Sequence, residues 1–288
     1  MKNLQSLKKS LNSAQNLYTI VNTMKIHATT NINQFQQAAD ASMQYRQVLN
    51  KALSVVIKHR EMPLEVLRRH EGKTIHVVFS SDHGLCGSFN ERITDYARTK
   101  IDENEMGLLL IVGEQGRKRL EGEYAVEEFF VVPQTVDGIT ASVQHLLSSL
   151  DELRENNKIK NIYLHYNRAS GKYGFTEQSE KLFPLDLKKI RKEDAKWKSG
   201  AQPTYYMSEE KLLSDLLKQY YFITLFRTFC YSLVTENESR IASMTAAKKN
   251  IEERIEELET KYKRMRQDSI TDEIRDITSG FYVFKKSK

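Results

Sequence analysis

Chain breakers are scarce in this sequence. Four Pro and 12 Gly in 288 residues argue against a loop-rich or low-complexity protein. The two cysteines, Cys86 and Cys230, are too few for a disulfide framework or a metal set. No apolar run approaches the roughly 20 residues of a membrane-spanning helix, and MKNLQSLKKSLNSAQ at the start has no apolar core like that of a secretory signal. The expectation is a soluble, cytosol-type chain. Acid is nearly missing from the first 60 residues, where eight Lys and Arg face the single acid Asp40. Such a segment suits an acidic partner, a nucleic acid or an anionic membrane face, or is simply a solvated basic helix face. Its bases are spread out and few aromatics interleave them, which argues against nucleic acid.

What is present is helical periodicity at both ends. Leu4, Leu7, Leu11, Ala14, Tyr18 and Val21, then Met24, Ala28, Ile32, Phe35 and Ala39, recur in steps of three and four, the stripe of an amphipathic helix. With no Pro or Gly before Pro63, this helix is predicted over 1–60. From Ser208, a suitable N-cap ahead of Glu209 and Glu210, no breaker occurs until Gly280. Met244, Lys248, Ile251, Ile255, Leu258, Tyr262 and Met265 trace a heptad seam broken only by Lys248; it jumps to Ile270 and resumes through Ile274, Ile277, Phe281 and Phe284. A helix over 208–288 needs an apolar partner, and the N-terminal helix is the one of comparable length. The two ends are predicted to pair as a long antiparallel coiled coil; separate packing of each helix on the middle is the alternative.

The middle, 73–205, changes period. The runs 73–80, 107–113, 125–132 and 161–167 are short, β-branched or aromatic, and helical stretches near 88–103, 114–121 and 139–156 separate them. This alternation predicts a mainly parallel, Rossmann-like α/β domain. The charged stretch 187–207 reads as a connector.

The search for chemistry yields little. Ser80–Asn90 follows a strand and opens a helix, where backbone N–H groups can hold an anion. Gly84 and Gly87 make only G-x-x-G, with no P-loop Lys and no third dinucleotide glycine. Asp82, His83 and Cys86 can be drawn as a nucleophile and its base, but a tight strand-to-helix turn is the better reading. Gly113–Lys118 offers a second phosphate cradle and reads better as a surface turn. The seven His are scattered without metal-ligand spacing. No catalytic residue and no cofactor is expected.

Two C-terminal stretches carry a resemblance. Glu236–Met244 and Arg266–Ile274, followed by Asp276-x-x-x-Gly280, resemble the gamma-subunit family of F-type ATP synthases. Ser81–Gly87 is similar to that family's Asp-Arg-Gly-Leu-Cys-Gly turn, and Leu216-x-x-Gln219-Tyr220 to its Leu-Leu-x-x-Tyr segment. The resemblance spans essentially the whole chain. It implies a non-catalytic central-stalk rotor in which the coiled coil turns inside a hexamer of alpha and beta subunits. The α/β domain would grip epsilon and the membrane ring of c subunits, peripheral on the cytoplasmic face of the inner or plasma membrane (matrix side if mitochondrial). By motif, Met24, Arg240, Arg266, Gln267, Thr271 and Glu273 are implied contacts with the beta-subunit lever loops. Asn22 and Asn31 stand where the family has bases, His83 replaces an Arg, and Phe281–Phe284 is a bulky tail, which points to a divergent or second-copy variant. Two rivals remain open: a nucleotide- or anion-binding α/β protein dimerised by its helices, and a basic coiled-coil binder of nucleic acid or anionic lipid.

Overall fold

A computed structural model describes residues 2–59, 71–102, 107–171, 174–185, 190 and 204–286, with the side chains of 2, 3, 58, 59 and 280–286 outside the description. In chain order the elements are α1 (Lys2–His59), β1 (Lys73–Phe79), α2 (Phe89–Asp102), β2 (Gly107–Val112), α3 (Glu114–Leu120), β3 (Val126–Phe130), α4 (Val136–Asn156), β4 (Ile159–Ser170), β5 (Gly174–Phe183) and α5 (Glu209–Lys286). The chain divides into two compact units, one of residues 28–242 and one of residues 1–27 with 243–288.

The larger unit is built on a five-stranded sheet of order β3-β2-β1-β4-β5. Its first four strands are mutually parallel, as expected from strands separated by helices, and β5 returns antiparallel to β4. β5 is absent from the sequence expectation. Its residues, GFTEQSEKLF, carry no apolar run, and only pairing along the length of β4 makes them a strand. Apolar residues on successive positions of β1 and β2 point to opposite faces. Ile75, Val77, Phe79, Leu108, Leu110 and Val112 pack with α4 and with Phe35, Ala39, Leu225, Phe229 and Leu233 of the two long helices. Val78, Leu109 and Ile111 pack instead with Ile93, Ala97 and Ile101 of α2 and Leu120 of α3. A sheet covered on both faces is why these strands read as continuous apolar runs rather than alternating ones.

Within this unit α1 and α5 run antiparallel. The Tyr231 hydroxyl lies 3.9 Å from Met43 Sδ, Arg46 meets Tyr220, and Leu53 and Ile57 pack with Leu213, Leu216 and Leu217. The connector predicted over 187–207 falls mostly outside the described residues.

The smaller unit is the helical pair. Ala14, Val21, Met244 and Leu258 are buried, and Ile251, Ile255, Tyr262 and Met265 are half-buried, so the buried side of α5 follows the predicted seam. Lys248, which breaks the apolar pattern, lays its Nζ 5.1 Å from the centre of the Tyr18 ring, so a cation–π contact and an apolar stem occupy the seam position. Beyond Met265 the pattern parts from the expectation. Ile270, Ile274 and Ile277 are 47%, 60% and 72% exposed. α1 contributes only its residues 2–27 to this unit, too few to cover all of 243–288.

Candidate functional site

In an open parallel sheet the ligand crevice lies beyond the C-terminal ends of the strands, where the strand order reverses. Here that point lies between β1 and β4, and the groups beside it, at the C-terminal ends of β1 and β2 and the start of α3, are engaged by the protein itself. Ser80 Oγ donates toward the carbonyls of Val112 (2.8 Å) and Gly113 (3.0 Å) and accepts the Gly116 N–H at 2.9 Å. A Cβ on Gly113 or Gly116 would come within 2.5 or 2.4 Å of that same hydroxyl oxygen. Asp82 is engaged too: Oδ1 accepts the Glu114 N–H at 3.1 Å and Oδ2 the Val132 N–H at 2.9 Å. A carboxylate therefore occupies the start of α3, the place a phosphate would take in the Gly113–Lys118 cradle. On the β4 side, Asn167 Nδ2 donates to the Phe89 carbonyl at 2.9 Å.

The turn that follows does not assemble a nucleophile. Asn90 Oδ1 accepts the Ser81 N–H at 2.9 Å, and its Nδ2 lies 3.2 Å from Cys86 Sγ. Cys86 is 1% exposed and burial pushes its thiol pKa up, so it stays protonated and inert. Both Asp82 carboxylate oxygens accept backbone N–H groups, of Glu114 and Val132, and among the described residues no imidazole hydrogen-bonds to either. Leu85 adopts φ 65° with 62% exposure, the one non-glycine residue of the described chain in the left-handed region.

α5 packs over this turn. Ser239 Oγ donates to the Cys86 carbonyl at 2.6 Å, and Arg240 Nη2 reaches the His83 carbonyl at 3.3 Å and Glu236 Oε1 at 2.6 Å. Burial raises the Glu236 pKa, the Arg240 guanidinium opposes that, and the nearby Asp82 charge adds to the rise. The sequence shows the Glu236/Arg240 pair as an i,i+4 helix pair. Nothing in the sequence shows that it docks on a turn more than 150 positions earlier.

The residues that the resemblance singles out lie in two places. Arg266, Gln267, Thr271 and Glu273 share two turns of α5 in the smaller unit; all four are exposed, and Thr271 Oγ1 donates only to the Gln267 carbonyl, at 2.9 Å. Met24, also in the smaller unit, is 36% exposed on α1. Arg240 belongs to the larger unit, with its side chain 14% exposed and ion-paired to Glu236. Among the described residues there is no group of three metal-ligating side chains, and no helix is long and apolar enough to cross a membrane.

A doubly wound sheet whose first strand-end turn is held by its own side chains, joined to two long helices of which α5 carries a stretch of exposed charged and apolar residues, defines an α/β protein with a long helical pair. Comparison with known proteins makes this particular. The family model described as ATP synthase matches residues 3–282. The ATP synthase gamma chain of Clostridium acetobutylicum is 27% identical over 97% of both chains, and that of Geobacter sp. (strain M21) is 28% identical over 97% of this chain and 98% of its own. A rotor chain of the Euglena gracilis mitochondrial ATP synthase shares the fold with a TM-score of 0.65 at 14% identity, covering 93% of this chain and 99% of that one. A central-stalk chain of the Tetrahymena thermophila enzyme does so with a TM-score of 0.57 at 19% identity, over 79% and 99%. The chain belongs to the ATP synthase gamma family, whose members are non-catalytic stalk subunits; the catalytic sites of the complex are in the beta subunits.

Proposed function

We propose that this chain is the turning shaft of its complex, coupling rotation of a membrane ring of c subunits to conformational change in a surrounding hexamer of alpha and beta subunits. The work is mechanical. An asymmetric helical surface contacts three chemically equal beta subunits unequally and shifts each in turn among states of different nucleotide affinity. A population shift from 1:99 to 99:1 requires about 5.5 kcal/mol of differential contact energy, which a handful of charge-assisted hydrogen bonds can supply.

The observation that carries this reading is the uncovered stretch of α5. Arg266, Gln267, Thr271 and Glu273 are exposed on a helix whose Ile270, Ile274 and Ile277 also face solvent. An isolated helix gains nothing from presenting both kinds of group, whereas a collar of partner loops would bury the isoleucines and pair the charges. Arg240 and Met24 complete the proposed contact set, and exposed Leu85 on the turn beside Arg240 adds an apolar anchor to it. The remaining partner is the epsilon subunit, held with the c ring by the α/β unit. The chain would then be peripheral on the cytoplasmic face of the inner or plasma membrane, or on the matrix side in a mitochondrion.

The occupied start of α3 counts against a nucleotide-binding α/β enzyme, since Asp82 already accepts the Glu114 N–H that an anion in the Gly113–Lys118 cradle would take. The test is reconstitution with alpha and beta subunits. Arg266→Ala and Gln267→Leu, each at an exposed position, should leave the melting temperature unchanged and slow ATP turnover of the complex several-fold. Turnover unchanged in both variants would remove these residues from the contact set.

A further inference from the structure

The two long helices pack on the sheet through a shared apolar cluster, and apolar packing is non-directional. One place is different. Glu180, on β5, reaches between the helices. Its Oε1 accepts from Arg46 Nη1 of α1 at 2.9 Å and from Arg227 Nη2 of α5 at 2.6 Å. Its Oε2 lies 2.7 Å from Arg227 Nη2 and accepts the Tyr166 hydroxyl of β4 at 3.2 Å. Arg46 Nη2 in turn donates to the Tyr220 hydroxyl at 2.6 Å, and the Arg227 guanidinium lies 5.7 Å from the centre of the Tyr231 ring. The three charged side chains are 19%, 23% and 12% exposed, so this is not a surface ion pair softened by water. One carboxylate therefore joins α1, β4, β5 and α5 within the larger unit.

We propose that Glu180 sets the register of both helices on the sheet, and so lets torque pass between the α/β unit and the shaft without slip. The functional half of this rests on the rotor reading above; the structural half does not. Sliding either helix by one turn, about 5.4 Å, would exchange one set of leucines and alanines for a similar one. It would also pull a guanidinium out of bonds shorter than 3 Å and leave it buried without its counter-charge. A single buried polar contact setting register is an established use of such groups in paired helices.

The test separates register from stability. Arg46→Met/Glu180→Leu/Arg227→Met replaces the trio by apolar groups of similar volume, a change that often leaves stability intact or higher. Spin labels at Gln47→Cys and Ser179→Cys, and at Lys218→Cys and Ser179→Cys, report each helix against β5 in the full chain; Cys86 and Cys230 are buried away from the label. The unaltered trio should give one narrow distance per pair. The triple variant should keep its melting temperature, yet show a broadened distance or a second one displaced by about a helical turn. If the triple variant does not fold, Glu180→Gln, which keeps the shape and removes the charge, takes its place with the same expectation. A folded variant with an unchanged narrow distance overturns the proposal. In the reconstituted complex the variant should retain ATP hydrolysis while ion pumping per ATP falls several-fold. A broadened distance with undiminished pumping overturns the torque assignment. If complexes with the unaltered chain fail to assemble or pump, the rotor reading fails, and the distance measurement still decides the register.

Discussion

Acidifying the solution from pH 7 to pH 5 should weaken the α/β unit through two imidazoles that the rest of the fold keeps dry. His76 on β1 and His165 on β4 are 1% and 0% exposed, and His76 Nδ1 lies 2.9 Å from His165 Nε2. Their rings stack at 5.2 Å, with Tyr163 stacked on both and the edge of Tyr96 toward His165. The outward nitrogens, His76 Nε2 and His165 Nδ1, are buried without a hydrogen-bond partner. Burial holds the His76 pKa down to about 4; burial, then the charges of His76 and Lys100, hold His165 down to about 3.

The sign follows from linkage. An unfolded histidine takes up its proton near pH 6.5, while the folded pair refuses it until pH 3 to 4. The pair's contribution is therefore full above pH 6.5 and is lost as the pH falls below that value. Each unit of pH below 6.5 costs about 1.4 kcal/mol per imidazole, so at pH 5 the pair should cost roughly 4 kcal/mol, a large part of a typical domain stability of about 5–15 kcal/mol. Carboxylates held low by guanidinium partners, such as Glu180, add to the loss only below pH 4.5, and Glu236, raised by burial, acts in the opposite direction. Glu238, also raised by burial, acts as Glu236 does. Both gains fall above pH 4.5 and overlap the window from 6.5 to 5, so it is comparison with a variant lacking the two imidazoles that isolates the pair. Urea unfolding followed by circular dichroism at pH 7, 6 and 5 measures the loss. His76→Phe/His165→Phe, which keeps stacked rings of similar size, should flatten the pH dependence in that window. Equal losses in the variant and the unaltered chain, or no loss in the unaltered chain, would refute the reasoning.

Other perturbations test other parts of the molecule. Ile255→Asp places a charge in the half-buried seam of the smaller unit and should cost several kcal/mol there; undiminished helicity and melting temperature would refute the pairing. Gly113→Ala forces a Cβ into the Ser80 backbone and hydroxyl at φ 102° and should destabilise the larger unit by at least about 3 kcal/mol, read as a lower urea midpoint. Asp82→Ala strips the acceptor from the buried ends of two backbone bonds and should cost about 2–4 kcal/mol. Because Ser80 still holds the Val112 and Gly113 carbonyls and the Gly116 N–H, calorimetry should find no ATP binding in that variant, and binding would revive the enzymatic reading.

The sequence alone was enough for everything set by local periodicity. Steps of three and four without Pro or Gly predict both long helices, whose observed spans Lys2–His59 and Glu209–Lys286 lie close to the predicted ones. The β-branched runs predict the four parallel strands, and short motifs such as Arg266–Ile274 point to the family. What depended on distant partners could not be read there. GFTEQSEKLF becomes a strand only because β4 offers it a long edge. Asp82 looks like half of a catalytic pair until the N–H groups of Glu114 and Val132, 32 and 50 positions away, are found on its oxygens. The continued apolar spacing after Met265 predicts a covered seam, and only the short reach of α1 in that unit leaves Ile270, Ile274 and Ile277 in solvent. Glu180 stands in a polar stretch between Glu177 and Lys181 and carries no sequence signal at all. Burial and counter-charge are properties of packing, so the tertiary structure alone could set this carboxylate between two helices.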